Sequence, residues 1–147
     1  MNAWGYETIE VGKEDLEQLQ GLEIVAFQIA EPGAMGYHGG VFFVTSDKKV
    51  YSTCYLEPSA YTGNHRGMSY QDLESVFPPL KEFDHGLLGY NVVVPDGWHY
   101  SYLGCGNHLL VKESLWVPFA KKVAETEAMQ TKSYLYNNWL QAIQSIL

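Results

Sequence analysis

The chain has 147 residues, of which 46% are hydrophobic and 18% are charged, and its formal net charge at pH 7 is −8. This composition excludes a disordered polypeptide, because enough apolar surface is available to bury a core that offsets the loss of chain entropy. The length is that of one ordinary domain, and the sequence contains no repeat, low-complexity tract or linker. We therefore predict a single domain over residues 1–147.

The negative charge is concentrated near the N-terminus. Residues 1–31 hold seven acidic residues against one basic residue, for a net charge of −6, whereas the rest of the chain carries −2. Nucleic-acid binding requires clustered Lys and Arg, and because this chain has no such cluster we expect no direct contact with nucleic acid. An acidic surface attracts cations or a basic protein surface instead. A solvated segment that only aids solubility would carry the same charge.

The sequence also bears on the cellular compartment. The first residues contain neither a basic region nor an apolar h-region, so with Met1 as the start we expect no secretory signal. The longest apolar runs, among them residues 92–94, are far too short to span a bilayer, so no membrane association is expected. Cys54 and Cys105 are the only cysteines, and they lack the spacing of a disulfide framework. We therefore expect a reduced, cytoplasmic protein.

The first half of the chain carries alternating helix, strand and loop signals. Residues 13–20 predict a short helix, because Leu16 and Leu19 lie three apart and acidic residues occupy the first turn, where the helix dipole favours them. The apolar run 22–30 predicts a buried strand. Residues 31–40 contain four glycines and a proline, which predicts a loop. The segments 41–45 and 50–56 then predict a hairpin.

The second half begins with a short helix, for which Ser69 is the predicted N-cap and Pro78 the end. A strand is predicted over residues 90–94. A second hairpin is predicted from residues 98–105 and 108–112, with Gly106 and Asn107 as its turn.

Two helical segments finish the chain, and the last, over residues 135–147, has apolar residues at helical spacing with polar residues opposite. Strands in the middle and helices at both ends predict an α+β fold. We expect a mostly antiparallel central sheet with a short N-terminal helix and C-terminal helices.

Motifs of common catalytic sites do not occur in the sequence. There is no P-loop, and residues 104–109 have only the first two glycines of a dinucleotide-binding motif. One pair remains: across a Gly106–Asn107 turn, Cys105 and His108 would be opposed partners with Cβ atoms about 4.5–5.5 Å apart. A nearby imidazolium favours the thiolate, which is the activated form of a cysteine nucleophile. Since no third residue that would orient the histidine is identified, we predict no catalytic site and keep this pair as an alternative.

Strand alternation divides this predicted hairpin into two faces. One face would hold His99, Ser101, Leu103, Cys105, His108, Leu110 and Lys112, and the other Trp98, Tyr100, Tyr102, Leu109 and Val111. His99 and Cys105 lie six residues apart on one strand, about 20 Å at 3.3 Å per residue, so they do not share a metal ion. The spacing specifies none of the other histidines, His38, His65 and His85, as a ligand. We predict no metal site and no cofactor.

Residues 97–108, Gly-Trp-His-Tyr-Ser-Tyr-Leu-Gly-Cys-Gly-Asn-His, form the most distinctive segment of a chain that has 11 Tyr and 4 Trp. A small, acidic α+β chain with abundant Tyr and Trp and no catalytic motif resembles the immunity proteins of bacterial polymorphic and contact-dependent toxin systems. The resemblance covers the whole chain in size, charge and aromatic content rather than in a motif. It implies a dedicated inhibitor of one toxin, often a basic nuclease.

We therefore predict an acidic protein-binding module, and foremost an immunity protein that binds and neutralises a basic bacterial toxin domain. Acidic residues speed the encounter with a basic partner, and buried Tyr or Trp side chains then supply most of the affinity. The predicted partner-binding residues are Glu7, Glu10, Glu14, Asp15 and Glu17. One alternative is a small-ligand-binding module whose pocket is shaped by the loop 31–40 and the two hairpins. The other is an enzyme that uses Cys105 and His108.

Overall fold

A six-stranded sheet with helices on both faces forms the centre of the molecule. The structure is a computed structural model, and it describes residues 2–3, 6–30, 39–55, 67–84, 92–104, 106–127 and 134–147. The strands are β1 (Asn2–Ala3), β2 (Tyr6–Glu7), β3 (Ile9–Glu10), β4 (Ile24–Ala30), β5 (Gly39–Thr45), β6 (Val50–Tyr55), β7 (Trp98–Gly104) and β8 (Asn107–Lys112). The helices are α1 (Leu16–Leu19), α2 (Tyr70–Val76), α3 (Glu113–Glu127) and α4 (Tyr134–Ile146), and 3-10 turns cover Lys13–Asp15 and Pro78–Lys81. The fold class is α+β.

The sheet is mixed, which corrects the prediction of a mostly antiparallel sheet. Its strand order is β3-β6-β5-β4-β8-β7, and β1 and β2 form a separate two-stranded ladder. The edge strand β3 pairs in parallel with β6, with Ile9 opposite Tyr51, while the other neighbours in the sheet are antiparallel. The parallel pair arises because a 3-10 turn and α1 follow β3 and return the chain to β4, at the centre of the sheet. Two paired residues are too few for an alternation pattern to reveal β3.

Each face of the sheet has its own core. On the first, which we call the α2 face, the ring of Phe27 stacks on Phe43 and Phe77 with centroid distances of 5.8 and 4.9 Å. On the second, the α4 face, Trp139 and Phe119 pack against the sheet and are almost completely buried. Strand β4 contributes to both cores, and it is buried over nearly its whole length. The continuous apolar run that predicts this strand is typical of a strand covered on both faces.

The predicted helices are confirmed, each with a local cause. Ser69 is the N-cap of α2: its hydroxyl accepts a hydrogen bond from Asp72 N at 3.2 Å, and the Asp72 carboxylate accepts one from Ser69 N at 3.0 Å. This reciprocal pair satisfies two backbone N–H groups that the helix leaves unpaired. The N-terminal helix is shorter than predicted, because its first residues form a 3-10 turn and α1 is a single turn. Gly21, which has a φ of 88°, follows it in the left-handed region that favours glycine.

The strand predictions are confirmed for β4 and for the β5–β6 hairpin, in which Val44 lies opposite Val50. The strand predicted over residues 90–94 is wrong in its described part, where Val93 forms an isolated bridge with Asp84; residues 90 and 91 lie outside the described residues. Most of the predicted loop 31–40 also lies outside them, and its last two residues belong to β5.

The phenol of Tyr70 makes the stability of this fold depend on pH in the alkaline range. Burial, together with the smaller effects of the charges of Glu74 and Asp84, raises the pKa of Tyr70 to about 12. The phenol donates hydrogen bonds to the carbonyl oxygens of Leu80 at 3.1 Å and Phe83 at 3.4 Å. Because the unfolded chain loses this proton near pH 10, the contribution of the phenol to stability is complete below about pH 10 and is lost as the pH rises toward about 12.

We expect Tyr70→Phe to lower the free energy of unfolding at about pH 9 by roughly 0.5–1.5 kcal/mol, the usual net value of a hydrogen bond. The difference from the wild type should shrink at about pH 11, because phenylalanine has no proton to lose. Urea unfolding of both proteins at the two pH values measures this difference in the free energy of unfolding. An unchanged difference would show that Tyr70 does not titrate with folding.

Candidate functional site

The predicted acidic residues lie on the segment 7–17, which contains the edge strand β3 and continues into the 3-10 turn and α1. Glu7 belongs to β2, Glu10 to the terminal strand β3, and Glu14 and Glu17 to the 3-10 turn and α1. All four side chains are exposed. We call these four glutamates the acidic edge. Lys13 is the single basic residue of the segment 7–17, so the net charge of the segment is strongly negative.

Buried residues hold the backbone of the acidic edge in place. Thr8 is buried, and its side-chain oxygen accepts a hydrogen bond from the Ser52 hydroxyl at 3.3 Å. Val11 is buried in the core of the α2 face, and its N–H donates to Ser52 O at 2.9 Å. Leu19 buries the end of α1 in the same core. The glutamates therefore project from a segment that β6 and the core fix on the opposite side.

Asp15, the fifth predicted partner-binding residue, has a different role from the four glutamates. It is half-buried, and its carboxylate accepts a hydrogen bond from Gly12 N at 2.8 Å. This bond closes the turn that leads into α1, as acidic side chains commonly do at the start of a helix. We assign Asp15 to the structure of the edge rather than to its docking surface.

An exposed apolar residue lies on the same segment, and the sequence does not predict its exposure. Ile9, between Glu7 and Glu10 in the chain, is 44% exposed. An exposed apolar residue flanked in the chain by charged ones suits a protein interface with an apolar centre and a polar rim. The signal in the sequence is the isoleucine within the run Glu7-Thr8-Ile9-Glu10, where alternation alone does not say which side chain is exposed.

Glu23, a further acidic residue of the N-terminal region, is not part of this edge. Glu23 forms an ion pair with Lys112, at 3.4 Å between Oε1 and Nζ, and its second oxygen lies 3.4 Å from the Ser46 hydroxyl. It thus joins the ends of β8 and β5 next to β4. Glu31 lies outside the described residues.

The β7–β8 hairpin has a different register from the predicted one. Asn107 belongs to β8 and lies opposite Gly104, and an irregularity between Tyr102 and Gly104 leaves Tyr102 opposite His108. Gly104 and Gly106 both have positive φ, 91° and 77°, which suits a turn placed one residue earlier than predicted.

This register moves His108 to the other predicted face, which it shares with the aromatic side chains of β7. His108 is 5% exposed, and its Nδ1 is hydrogen-bonded to the Tyr100 hydroxyl at 2.7 Å. The rings of Tyr102 and Phe83 lie beside it. Cys105, the other member of the alternative catalytic pair, lies outside the described residues.

His99 also has defined neighbours. Its ring stacks on Trp116 with a centroid distance of 5.0 Å and an interplanar angle of 5°, and its Nε2 lies 3.8 Å from a Glu113 carboxylate oxygen. Among the residues that the structure describes, no group of three or more His, Cys, Asp or Glu side chains could hold a metal ion. The histidines 38, 65 and 85 lie outside that part of the chain.

No helix in the described ranges is both long enough and apolar enough to cross a membrane. Comparison with family models, curated proteins and solved structures finds no match to the chain. Among the described residues, the acidic edge is the feature that points most directly to a function.

Proposed function

We propose that the chain is an acidic protein-binding module whose acidic edge docks onto a basic surface of a partner protein. Following the resemblance to toxin-immunity proteins, we propose a bacterial toxin domain, neutralised by this binding, as that partner. The observation that carries the proposal is the exposure of four glutamates and of Ile9 on one segment, 7–17, whose backbone is bonded to Ser52 of β6.

The acidic edge suits each step of such an association. Four exposed carboxylates within eleven residues attract a basic surface over about a Debye length, which is close to 8 Å at physiological ionic strength. That attraction raises the association rate, and burial of Ile9 on contact would slow dissociation. Because Thr8 and Val11 fix the backbone, little conformational entropy of the main chain is lost on binding.

Replacement of the four glutamates by glutamine should slow association with a basic partner by about 10-fold or more at low salt, since electrostatic steering is worth 10–10³ in rate. The partner is first captured from lysate of the native host on the immobilised wild-type chain, and association rates are then measured by surface plasmon resonance. The difference between variant and wild type should shrink as salt is added, because the charges are screened.

A matched control variant has the same net charge as the glutamine variant of the acidic edge. Glu82, Asp96, Glu113 and Glu125 are exposed and lie outside the segment 7–17, and their replacement by the corresponding amides changes the net charge by the same amount. If the control variant loses as much association rate as the edge variant, overall charge rather than a docking surface is responsible. If neither variant differs from the wild type at low salt, the proposal is wrong.

A further inference from the structure

The exposed side chain of Ile9 lies at the end of an apolar row that runs across the sheet. Ile9 of β3 pairs with Tyr51 of β6, and Tyr51 pairs with Phe43 of β5. Phe43 in turn pairs with Phe27 of β4. Residues that pair directly across neighbouring strands place their side chains on the same face of the sheet. The row therefore continues from the core, where Phe27 and Phe43 are completely buried, to the edge, where Ile9 is 44% exposed.

The alternation of β3 and its flanking residues shows which face of the sheet this row occupies. Val11, two positions after Ile9, is buried in the core of the α2 face. Thr8, one position before Ile9, is hydrogen-bonded through its side chain to Ser52, the residue after Tyr51. Because successive residues of a strand point to opposite faces, the Thr8–Ser52 contact belongs to the α4 face and Ile9 to the α2 face.

Tyr51 connects the exposed isoleucine with the core. Its side chain is half-buried and packs against the core of the α2 face, next to the completely buried Phe43. A side chain that a core already holds loses little conformational entropy on binding, and tyrosine is among the residues that most often dominate the energy of an interface. Ile9 and Tyr51 therefore form a preorganised apolar surface, which we call the Ile9–Tyr51 patch.

Negative charge next to this patch indicates the chemistry of what it binds. Glu10 follows Ile9 directly, so their Cα atoms lie about 3.8 Å apart, and Glu7 lies two positions before Ile9, at most about 7 Å away. Both glutamates are exposed. These distances lie within the Debye length of about 8 Å at physiological ionic strength, so salt screens the two charges little at the patch. An apolar side chain with basic neighbours complements both the patch and its charge.

We propose that the Ile9–Tyr51 patch binds a segment of the partner protein in which an aromatic side chain is flanked by lysine or arginine residues. The aromatic ring would bury the exposed surface of Ile9 and pair with the ring of Tyr51, while the basic residues meet the glutamates. This inference rests on the proposed docking function. It adds the side of the edge on which the partner lies, the α2 side, and the kind of segment that the partner presents.

NMR titrations of the full chain with two synthetic peptides test this proposal. The acetylated and amidated peptides Lys-Lys-Trp-Lys-Lys and Lys-Lys-Ser-Lys-Lys have equal charge and differ only in the central side chain. We expect the tryptophan peptide to bind the wild type at low salt with a dissociation constant at least about fivefold lower, the effect of one strongly contributing interface side chain. With isotope-labelled isoleucine methyl groups, this peptide should shift the signal of Ile9 and leave that of the completely buried Ile143 in place.

Substitutions in the patch should remove the preference for tryptophan. Ile9→Ser takes away apolar surface but no charge, so it should abolish the difference between the peptides and leave the affinity for the serine peptide unchanged. Tyr51→Leu keeps an apolar side chain on the core and removes the ring, so it should reduce the difference while circular dichroism shows an intact fold. Val117→Ser is the matched control: Val117 is 73% exposed on α3, so this variant should keep the full preference. A wild type that binds neither peptide, or both equally, would overturn the proposal, as would a preference that survives unchanged in Ile9→Ser or Tyr51→Leu.

The glutamine variant of the acidic edge separates this proposal from the docking function on which it rests. It should weaken the binding of both peptides, because they carry the same positive charge. If it does so while the wild type does not discriminate between the peptides, the docking function stands and the Ile9–Tyr51 patch is not its centre. If both peptides bind the variant as well as the wild type, the acidic edge is not a docking surface and both proposals are wrong.

Discussion

Truncation of Trp139 to alanine is expected to lower the free energy of unfolding by about 3–5 kcal/mol, the usual cost of removing a large aromatic side chain from a core. Trp139 lies on α4 and is completely buried against the α4 face of the sheet. Its indole Nε1 donates a hydrogen bond to Gln28 Oε1 at 2.7 Å. Urea unfolding followed by circular dichroism measures the loss.

The hydrogen bond of Trp139 belongs to a series of buried hydrogen bonds that runs over neighbouring strands of the sheet. Gln28 Nε2 donates to Asn107 Oδ1 at 2.7 Å, and Asn107 Nδ2 donates to Gly104 O at 3.1 Å. Gln28 and Asn107 are buried, so their polar groups depend on these contacts rather than on water. This series of hydrogen bonds thereby connects α4, the central strand β4 and the turn of the β7–β8 hairpin.

The more conservative Trp139→Phe isolates the hydrogen bond from the packing. It leaves Gln28 Oε1 without its donor, which should cost about 1–3 kcal/mol in addition to the smaller ring. Trp116→Phe is the matched control, because Trp116 is half-buried and stacks on His99 at the surface. A double-mutant cycle with Gln28→Leu then measures the coupling energy. Costs that simply add, with no coupling between the two sites, would contradict a shared hydrogen bond.

This series of hydrogen bonds also includes contacts that the sequence does not predict. The apolar run 22–30 predicts β4, and Gln28 stands in it as a lone polar residue. Nothing local indicates its partners, because Asn107 is 79 positions away in the chain and Trp139 is 111 away. By contrast, the Ser69 cap of α2 and the periodicity of α4 were predictable, since their causes lie within one or two helical turns.

The candidate site, like the fold, is predicted by the sequence only in part. The positions of the acidic residues along the chain indicate an acidic surface, but the half-buried role of Asp15 and the exposure of Ile9 depend on how the segment packs on β6. The predicted hairpin register is wrong for a specific reason. A turn one residue earlier shifts the pairing by two residues and by itself keeps the predicted faces. The irregularity between Tyr102 and Gly104 shifts it by one residue more, so that from Tyr102 back to Trp98 every residue of β7 changes face relative to β8.

The prediction of a single domain has a direct thermodynamic consequence. Phe27 lies on the α2 face of β4, next to Gln28 on the α4 face, and it is completely buried between Phe43 and Phe77. Phe27→Ala should therefore cost about 3–5 kcal/mol of unfolding free energy. If the two cores unfold together, this substitution on one face must lower the stability of the helices on the other face by the same amount.

Hydrogen exchange with mass spectrometry measures that shared loss. Slowly exchanging amides of α2 and α4 report on global unfolding, so in Phe27→Ala both should exchange faster by a common factor, tenfold for each 1.4 kcal/mol lost. Val117→Ala, at an exposed position of α3, should change neither by more than about 0.5 kcal/mol. Should the α4 amides keep their wild-type protection while those of α2 lose theirs, the two faces would unfold independently. Because β4 contributes side chains to both cores, we expect a single transition.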